Sequence, residues 1–358
     1  MTNRILSFLL VLILVFSLVA CNTQNADDET QPDESTSDST EEPKATEKCD
    51  QHEFEETVVK EPGEFEEGLS QSVCKKCGKT VNTPISATSS LKILAIGNSF
   101  SIDATKYLWS IAKSAGYGEV IIANLFVGGC TLEMHYENLT NDAPAYIYYK
   151  TDDEGEWVTT PDTTMLAGIT DEDWDIITLQ QASGSSGISG TYNYVNNIIR
   201  YVKNNRTNEN SKIFWHMTWA YQGDSGHGEF AKYDGDQLKM YQGIVDSVQY
   251  RILPEKDIAG VIPVGTVIQN LRTSYIGDTL TRDGYHLSCE VGRYSAALTW
   301  FTVLTGKSLD EVDFVPKKSH YNEMTFDIDT TAQAAVAQAI ASAIEKPYEI
   351  TSMAENAE

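Results

Sequence analysis

The chain has 358 residues, 41% of them hydrophobic, which is enough for one large domain with appendages. With 26 Lys and Arg against 52 Asp and Glu, its formal charge is −26. That balance excludes a nucleic-acid binder, which needs a basic footprint. Six cysteines without a regular pairing pattern exclude a disulfide-built scaffold.

Residues 1–21 read as a targeting segment, with Arg4 in a positive n-region and an apolar stretch from Leu6 to Val19. The stretch is shorter than the ~20 residues a spanning helix needs. Leu18-Val19-Ala20-Cys21 resembles the bacterial lipobox. That resemblance implies cleavage before Cys21, a lipid on its thiol, and a mature protein tethered on the extracellular side of the cytoplasmic membrane. Residues 22–48 are rich in Asp, Glu, Ser and Thr, too polar to fold and self-repelling, so they form an extended tether.

Cys49-x-x-His52 and Cys74-x-x-Cys77 follow, the two pairs separated by twenty-one residues. Two close pairs of soft ligands across a loop make a zinc-ribbon-like module over residues 49–85. Four protein ligands fill a tetrahedron, so the zinc would be structural. A disulfide among Cys49, Cys74 and Cys77 is the alternative that an exported protein allows.

From residue 91 to 347 strands alternate with helices. Leu91 to Ile96 is an apolar run that reads as a strand buried on both faces. It breaks at Gly97-Asn98-Ser99, and a helix is expected from near Asp103. Further strands are predicted over Glu119 to Phe126, Asp175 to Gln180, Lys212 to Thr218 and Ile258 to Val264. Helices are predicted over Tyr192 to Val202, Asp236 to Tyr250, Val291 to Leu304 and Thr331 to Ile344. Asn138 to Thr170 lacks periodicity and reads as an insertion over one edge of the active face. The expected class is α/β, a three-layer sandwich around a parallel sheet, with residues 348–358 a tail. Ser99 then sits between a strand's carboxyl end and a helix, where ligands bind in open α/β sheets.

Three blocks carry a family resemblance: Gly97-Asn98-Ser99-Phe100-Ser101 after the first strand, Gly128-Gly129 after the second, and Asp283-x-x-His286 before a late helix. In order and spacing they resemble the SGNH/GDSL hydrolases from Leu91 to Gly306. The wording LAIGNSFS, VGGCTLE, WDIITLQQAS, WHMTWAY and TRDGYHLS is similar to a bacterial branch of that superfamily. The resemblance implies a flavodoxin-like sheet and a serine esterase needing no cofactor. Ser99 would be the nucleophile, His286 the general base and Asp283 its orienting partner. The backbone N–H groups of Ser99 and Gly129 would form part of the oxyanion hole.

Two departures stand out. Asn98 replaces the family's usual Asp, and Gln180-Gln181-Ala182-Ser183 stands where an Asn normally supplies an oxyanion donor. A Gln amide can donate the same bond, so Gln181 is assigned that role, with Ser183 next. His216, Trp219 and Tyr221 follow the fourth strand and are expected at the rim as platforms for sugar rings; His227 is either a loop residue or a rival base. The expected function is a lipid-anchored esterase removing O-acyl groups, chiefly O-acetyl, from carbohydrate. Its expected partners are that ester substrate and the membrane. The rival expectation is a glycan-binding surface lipoprotein on the same scaffold, favoured by the Gln in the third block and opposed by the intact Ser99, Asp283 and His286.

Overall fold

A computed structural model of the chain describes residues 49, 51–319 and 324–354. The targeting segment, Cys21 and the acidic tether lie outside the described residues. The first three strands, β1 (Phe54–Lys60), β2 (Gly68–Cys74) and β3 (Thr80–Ile85), form an antiparallel sheet with β2 in the centre. Every residue of β1 is exposed, and β3 is nearly so. A sheet this poor in apolar contacts has little to hold it but its backbone bonds and whatever staples its ends. It leans on the larger domain through Phe65, whose ring meets the edge of Tyr117 at 5.1 Å, with the Lys307 ammonium 3.8 Å from the Phe65 centroid. Gly116, at φ +88°, admits this contact: a Cβ there would lie 2.4 Å from the Phe65 carbonyl oxygen.

The main sheet begins with β4 (Ser90–Gly97), and Ile93 to Ile96 are buried to 1% or less, as a strand covered on both faces must be. Two short helices follow, α1 (Ser99–Thr105) and α2 (Leu108–Ser114). Next come β5 (Glu119–Phe126), α3 (Leu132–Thr140), the strands β6 (Tyr146–Thr151) and β7 (Trp157–Thr163), and α4 (Met165–Ile169). The chain continues with β8 (Ile176–Leu179), α5 (Val195–Asn205), β9 (Lys212–His216), α6 (Gln237–Arg251) and β10 (Ile258–Ile262). It closes with α7 (Val264–Arg272), α8 (Val291–Thr305) and α9 (Thr330–Glu345).

The sheet order is β10-β9-β8-β4-β5-β6-β7. The first five strands pair in parallel, and in chain order they read 2-1-3-4-5, the flavodoxin-like arrangement. Helices α1, α2, α7, α8 and α9 pack among themselves on one side, and α3, α4, α5 and α6 with its neighbouring turns make up the other layer. The strand order reverses between β4 and its parallel neighbour β8, and the crevice outside their carboxyl ends is the expected ligand position.

Two sequence expectations change. Residues 138–170, read as an aperiodic insertion, contain regular structure: β6 and β7 form a hairpin that extends the sheet edge antiparallel from β5, with Leu125 opposite Tyr148. The first helix starts at Ser99, not near Asp103, because the Asn98 side chain caps it by accepting the Phe100 N–H at 3.0 Å. Ser99 therefore occupies the first helical position, where a backbone N–H has no intrahelical acceptor.

Candidate active site

Ser99 enters the site at the end of β4, and the segment from Arg282 to Leu287 brings the other two groups to it. His286 Nε2 lies 2.8 Å from Ser99 Oγ, and His286 Nδ1 lies 2.7 Å from Asp283 Oδ2. Asp283 Oδ1 accepts the backbone N–H of His286 at 2.8 Å and that of Tyr285 at 3.3 Å. Partial burial would raise this carboxyl, but the hydrogen bonds from the His286 ring and backbone outweigh it and hold the group below the usual range. A carboxylate on Nδ1 fixes that nitrogen as the N–H and leaves Nε2 free to accept the serine proton.

A buried charge cluster ties the two halves of the site together. Asp103, on the α1 face next to Ser99, is 1% exposed. It accepts from Arg293 Nε at 2.9 Å, Arg293 Nη2 at 2.5 Å and Arg282 Nη1 at 3.0 Å, and from the Leu287 N–H at 2.8 Å. Arg282 and Leu287 bracket the Asp283–His286 loop, and Arg293 stands on α8. One carboxylate thus locks the helix that carries Ser99 to the loop that carries His286. This brace was not read from the sequence, although Asp103 lies one helical turn from Ser99 and two arginines flank the Asp283–His286 block.

Residues 92–335 match the family described as Domain of unknown function (DUF4886). The chain belongs to that family. A crystal structure of a DUF4886 family protein from Bacteroides uniformis is 40% identical, with a TM-score of 0.68, and the match covers 74% of this chain and 98% of that one. More remote matches include a carbohydrate acetylesterase from Xanthomonas citri, 10% identical over 68% of this chain and 62% of that one, at a TM-score of 0.34. A salicylyl-acyltransferase from a tetracycline biosynthetic pathway is 10% identical over 72% of this chain and 74% of that one, at a TM-score of 0.33. At such scores the last two say nothing about the reaction. No curated protein matches the chain in sequence.

In this DUF4886 member the remaining candidate residues divide. Gly129, at φ +62°, lies in the turn after β5 and lines a cavity of ≈ 460 Å³ together with Ser99, Ser183, Tyr221 and His286. Among the described residues, no protein group accepts the N–H of Gly129 or of Ser99. Ser183 Oγ is 2.8 Å from the Tyr221 hydroxyl, and His227 faces the same cavity beside Tyr285, with ring centroids 4.5 Å apart.

Four expected placements are corrected. Gln181 cannot donate to an oxyanion, because both protons of its amide are committed to Thr191, to the carbonyl and the hydroxyl at 3.0 Å each. Its Oε1 is taken by the N–H groups of Leu132 and Ala182. Gln180 is the glutamine that turns toward the nucleophile's loop, and it is structural: Nε2 donates to Asn98 Oδ1 and Oε1 accepts from His216 Nδ1, each at 2.8 Å. His216 is therefore not at the rim. It is 1% exposed, packed against Trp300 with ring centroids 5.0 Å apart, and burial lowers it to about 3, so it is neutral. Trp219 is also fully buried; it stacks on Phe100 at 4.1 Å and donates to the Tyr285 carbonyl at 2.7 Å. It supports the Asp283–His286 loop from behind and offers no sugar platform. Tyr221 is equally buried, its hydroxyl paired with Ser183 Oγ at 2.8 Å, so its ring is no exposed platform either.

The amino-terminal sheet carries a separate cluster. Pairing Phe54 with Cys74 brings the start of β1 against the turn between β2 and β3. Ligand atoms of Cys49, His52, Cys74 and Cys77 all lie within 4.8 Å of one another. Burial opposes ionisation of Cys74, but hydrogen bonds from the Glu53 backbone, the His52 ring and the Cys77 and Lys76 backbones lower its thiol to about 5. Three sulfurs and one imidazole in tetrahedral reach fit Zn²⁺. Among the described residues no helix is long and apolar enough to cross a membrane.

Proposed function

We propose that this protein is a serine esterase of the SGNH type that removes O-acyl groups, chiefly O-acetyl, from carbohydrate. The contact that carries the reading is Ser99 Oγ to His286 Nε2 at 2.8 Å, with Asp283 on the far ring nitrogen at 2.7 Å. Ser99 Oγ attacks the ester carbonyl while His286 Nε2 takes its proton. The oxyanion lies against the N–H groups of Ser99 and Gly129. Collapse breaks the bond to the alcohol, which leaves with the proton from the imidazolium. Water, deprotonated by His286, then attacks the acyl-serine and releases the acid and free Ser99. The chemistry needs no metal or cofactor. Release of acetate from an O-acetylated oligosaccharide by the full chain tests the substrate class; saturable binding of that glycan without any acetate release would favour a binding protein instead.

We also propose that the Cys49–His52–Cys74–Cys77 cluster holds one structural zinc. It would staple the nearly coreless three-stranded sheet and takes no part in catalysis. Metal analysis is expected to find one zinc per chain in the wild type and about none in Cys74→Ser/Cys77→Ser. A metal-free wild-type protein with Cys74 and Cys77 oxidised would overturn this. Finally, we propose that Cys21, in its lipobox-like stretch, carries a lipid that holds the enzyme at the cell surface. Incorporation of labelled palmitate, absent from Cys21→Ser, is the expected result; equal labelling of both would remove the anchor.

A further inference from the structure

Hydrolysis of a neutral ester does not require the cations that line one arm of the cleft. Ser99, Ile102, Asp103 and Lys106 stand at i, i+3, i+4 and i+7, so one face of α1 and its C-cap lines a cavity of ≈ 420 Å³ beside Ser99 and His286. Lys106 thus lies two helical turns from Ser99, about 10 Å along the axis. Phe126, Tyr149 and Trp157, from β5 and the β6–β7 hairpin, form aromatic walls. The Lys106 ammonium is 5.4 Å from the Trp157 ring centroid, and among the described residues it has no ion-pair or hydrogen-bond partner. Burial and the neighbouring Arg293 guanidinium lower it to about 8, against a weaker opposing influence from Glu156, so at neutral pH it is charged and poorly hydrated. The one carboxylate in the arm, Asp103, is already held by both Arg282 and Arg293. A cation without an ion-pair partner among the described residues therefore faces this cavity on a chain whose net charge is −26.

We propose that this arm selects esters that carry a carboxylate, with Lys106 as the counter-ion and the aromatic walls holding the ring or short chain between the charge and the scissile bond. The proposal rests on the esterase reading and names the substrate class of the same site. A partly desolvated cation at a fixed distance from Ser99 discriminates charge and length together, since a neutral analogue leaves the ammonium without an anionic partner in the arm.

Two matched pairs test it on the full chain. One pair places the charge on the acyl side, 4-nitrophenyl hemiglutarate against 4-nitrophenyl valerate. The other places it on the alcohol side, 4-carboxyphenyl acetate against its methyl ester. With kcat/KM normalised to hydroxide-catalysed hydrolysis, the anionic member of at least one pair is expected to be favoured about tenfold. In Lys106→Met that ratio is expected to fall to near one, mostly through KM, and Lys106→Arg is expected to restore part of it. Equal rates within both pairs, or a preference that survives Lys106→Met, would overturn the proposal and leave the esterase reading standing. Calorimetric binding of 4-nitrophenyl hemiglutarate to Ser99→Ala, compared with Ser99→Ala/Lys106→Met, needs no turnover. If no ester is hydrolysed but this binding is present and weakens tenfold without Lys106, the esterase reading fails and the anion pocket stands. Absence of both hydrolysis and binding would overturn the two together.

Discussion

Ser99→Ala is expected to lower kcat/KM for an activated acetate ester by about 10⁴-fold or more, with the thermal midpoint almost unchanged. The size follows from the geometry. The acyl-enzyme route begins at one oxygen, and the atom His286 Nε2 would deprotonate is that oxygen, 2.8 Å away. Without it the two oxyanion N–H groups and the cleft remain, which supplies only the residual rate that binding and polarisation give. The hydroxyl accounts for no other hydrogen bond among the described residues, and the Asn98 cap on α1 is independent of it, so folding is expected to be indifferent. Initial rates of the two proteins at equal concentration decide this. A variant retaining a tenth of wild-type activity would mean that another group performs the attack.

Asp103→Ala is expected to have the largest effect on stability. The wild-type carboxylate is 1% exposed and accepts from two guanidiniums and one backbone N–H. Deleting it strips the Arg293 guanidinium, also 1% exposed, of a buried ion pair and two hydrogen bonds. Breaking one partner of such a buried pair typically costs about 3–5 kcal/mol. For a domain of this size that corresponds to a fall in thermal midpoint of roughly 6–20 °C. Activity should fall as well, because the Leu287 N–H and the Arg282 guanidinium, which fix the ends of the His286 loop, lose their common acceptor. A melting curve within 1 °C of wild type would show that the cluster does not brace the site.

The parallel core of this fold is legible in the sequence because its strands are nearly uninterrupted apolar runs, with β4 the clearest. The β6–β7 hairpin is not, because its Tyr, Thr and Lys residues sit at a half-exposed edge and carry no clean alternation. Helix α7 is missing from the predicted elements although its sequence carries the period: Val264, Val267, Ile268 and Leu271 stand at i, i+3, i+4 and i+7, and the fold buries its polar face as well, Gln269 and Asn270 included. At the site, Ser99 stands out from its strand-to-helix turn, whereas Gly129, Asp283 and His286 stand out only through the resemblance of their blocks to the SGNH/GDSL hydrolases. Orientation is what sequence withholds. Successive residues at a strand's end point to opposite sides, so Gln180 turns toward Asn98 and His216 while Gln181 turns toward Thr191. Likewise, Trp219 and His216 are correctly near the site but face the interior, where the Tyr285 carbonyl and Gln180 hold them. Lys106 and Asp103 were available at helical spacing from Ser99, but only once the helix is known to start at Ser99 itself.

The central claim is that Ser99 is an activated nucleophile. It is tested most directly by treating the full chain with a fluorophosphonate and mapping the adduct by peptide mass spectrometry. One adduct per chain on the Ser99 peptide is predicted, forming at least a hundredfold more slowly in His286→Ala. No adduct, or one on Ser183 instead, would contradict the account.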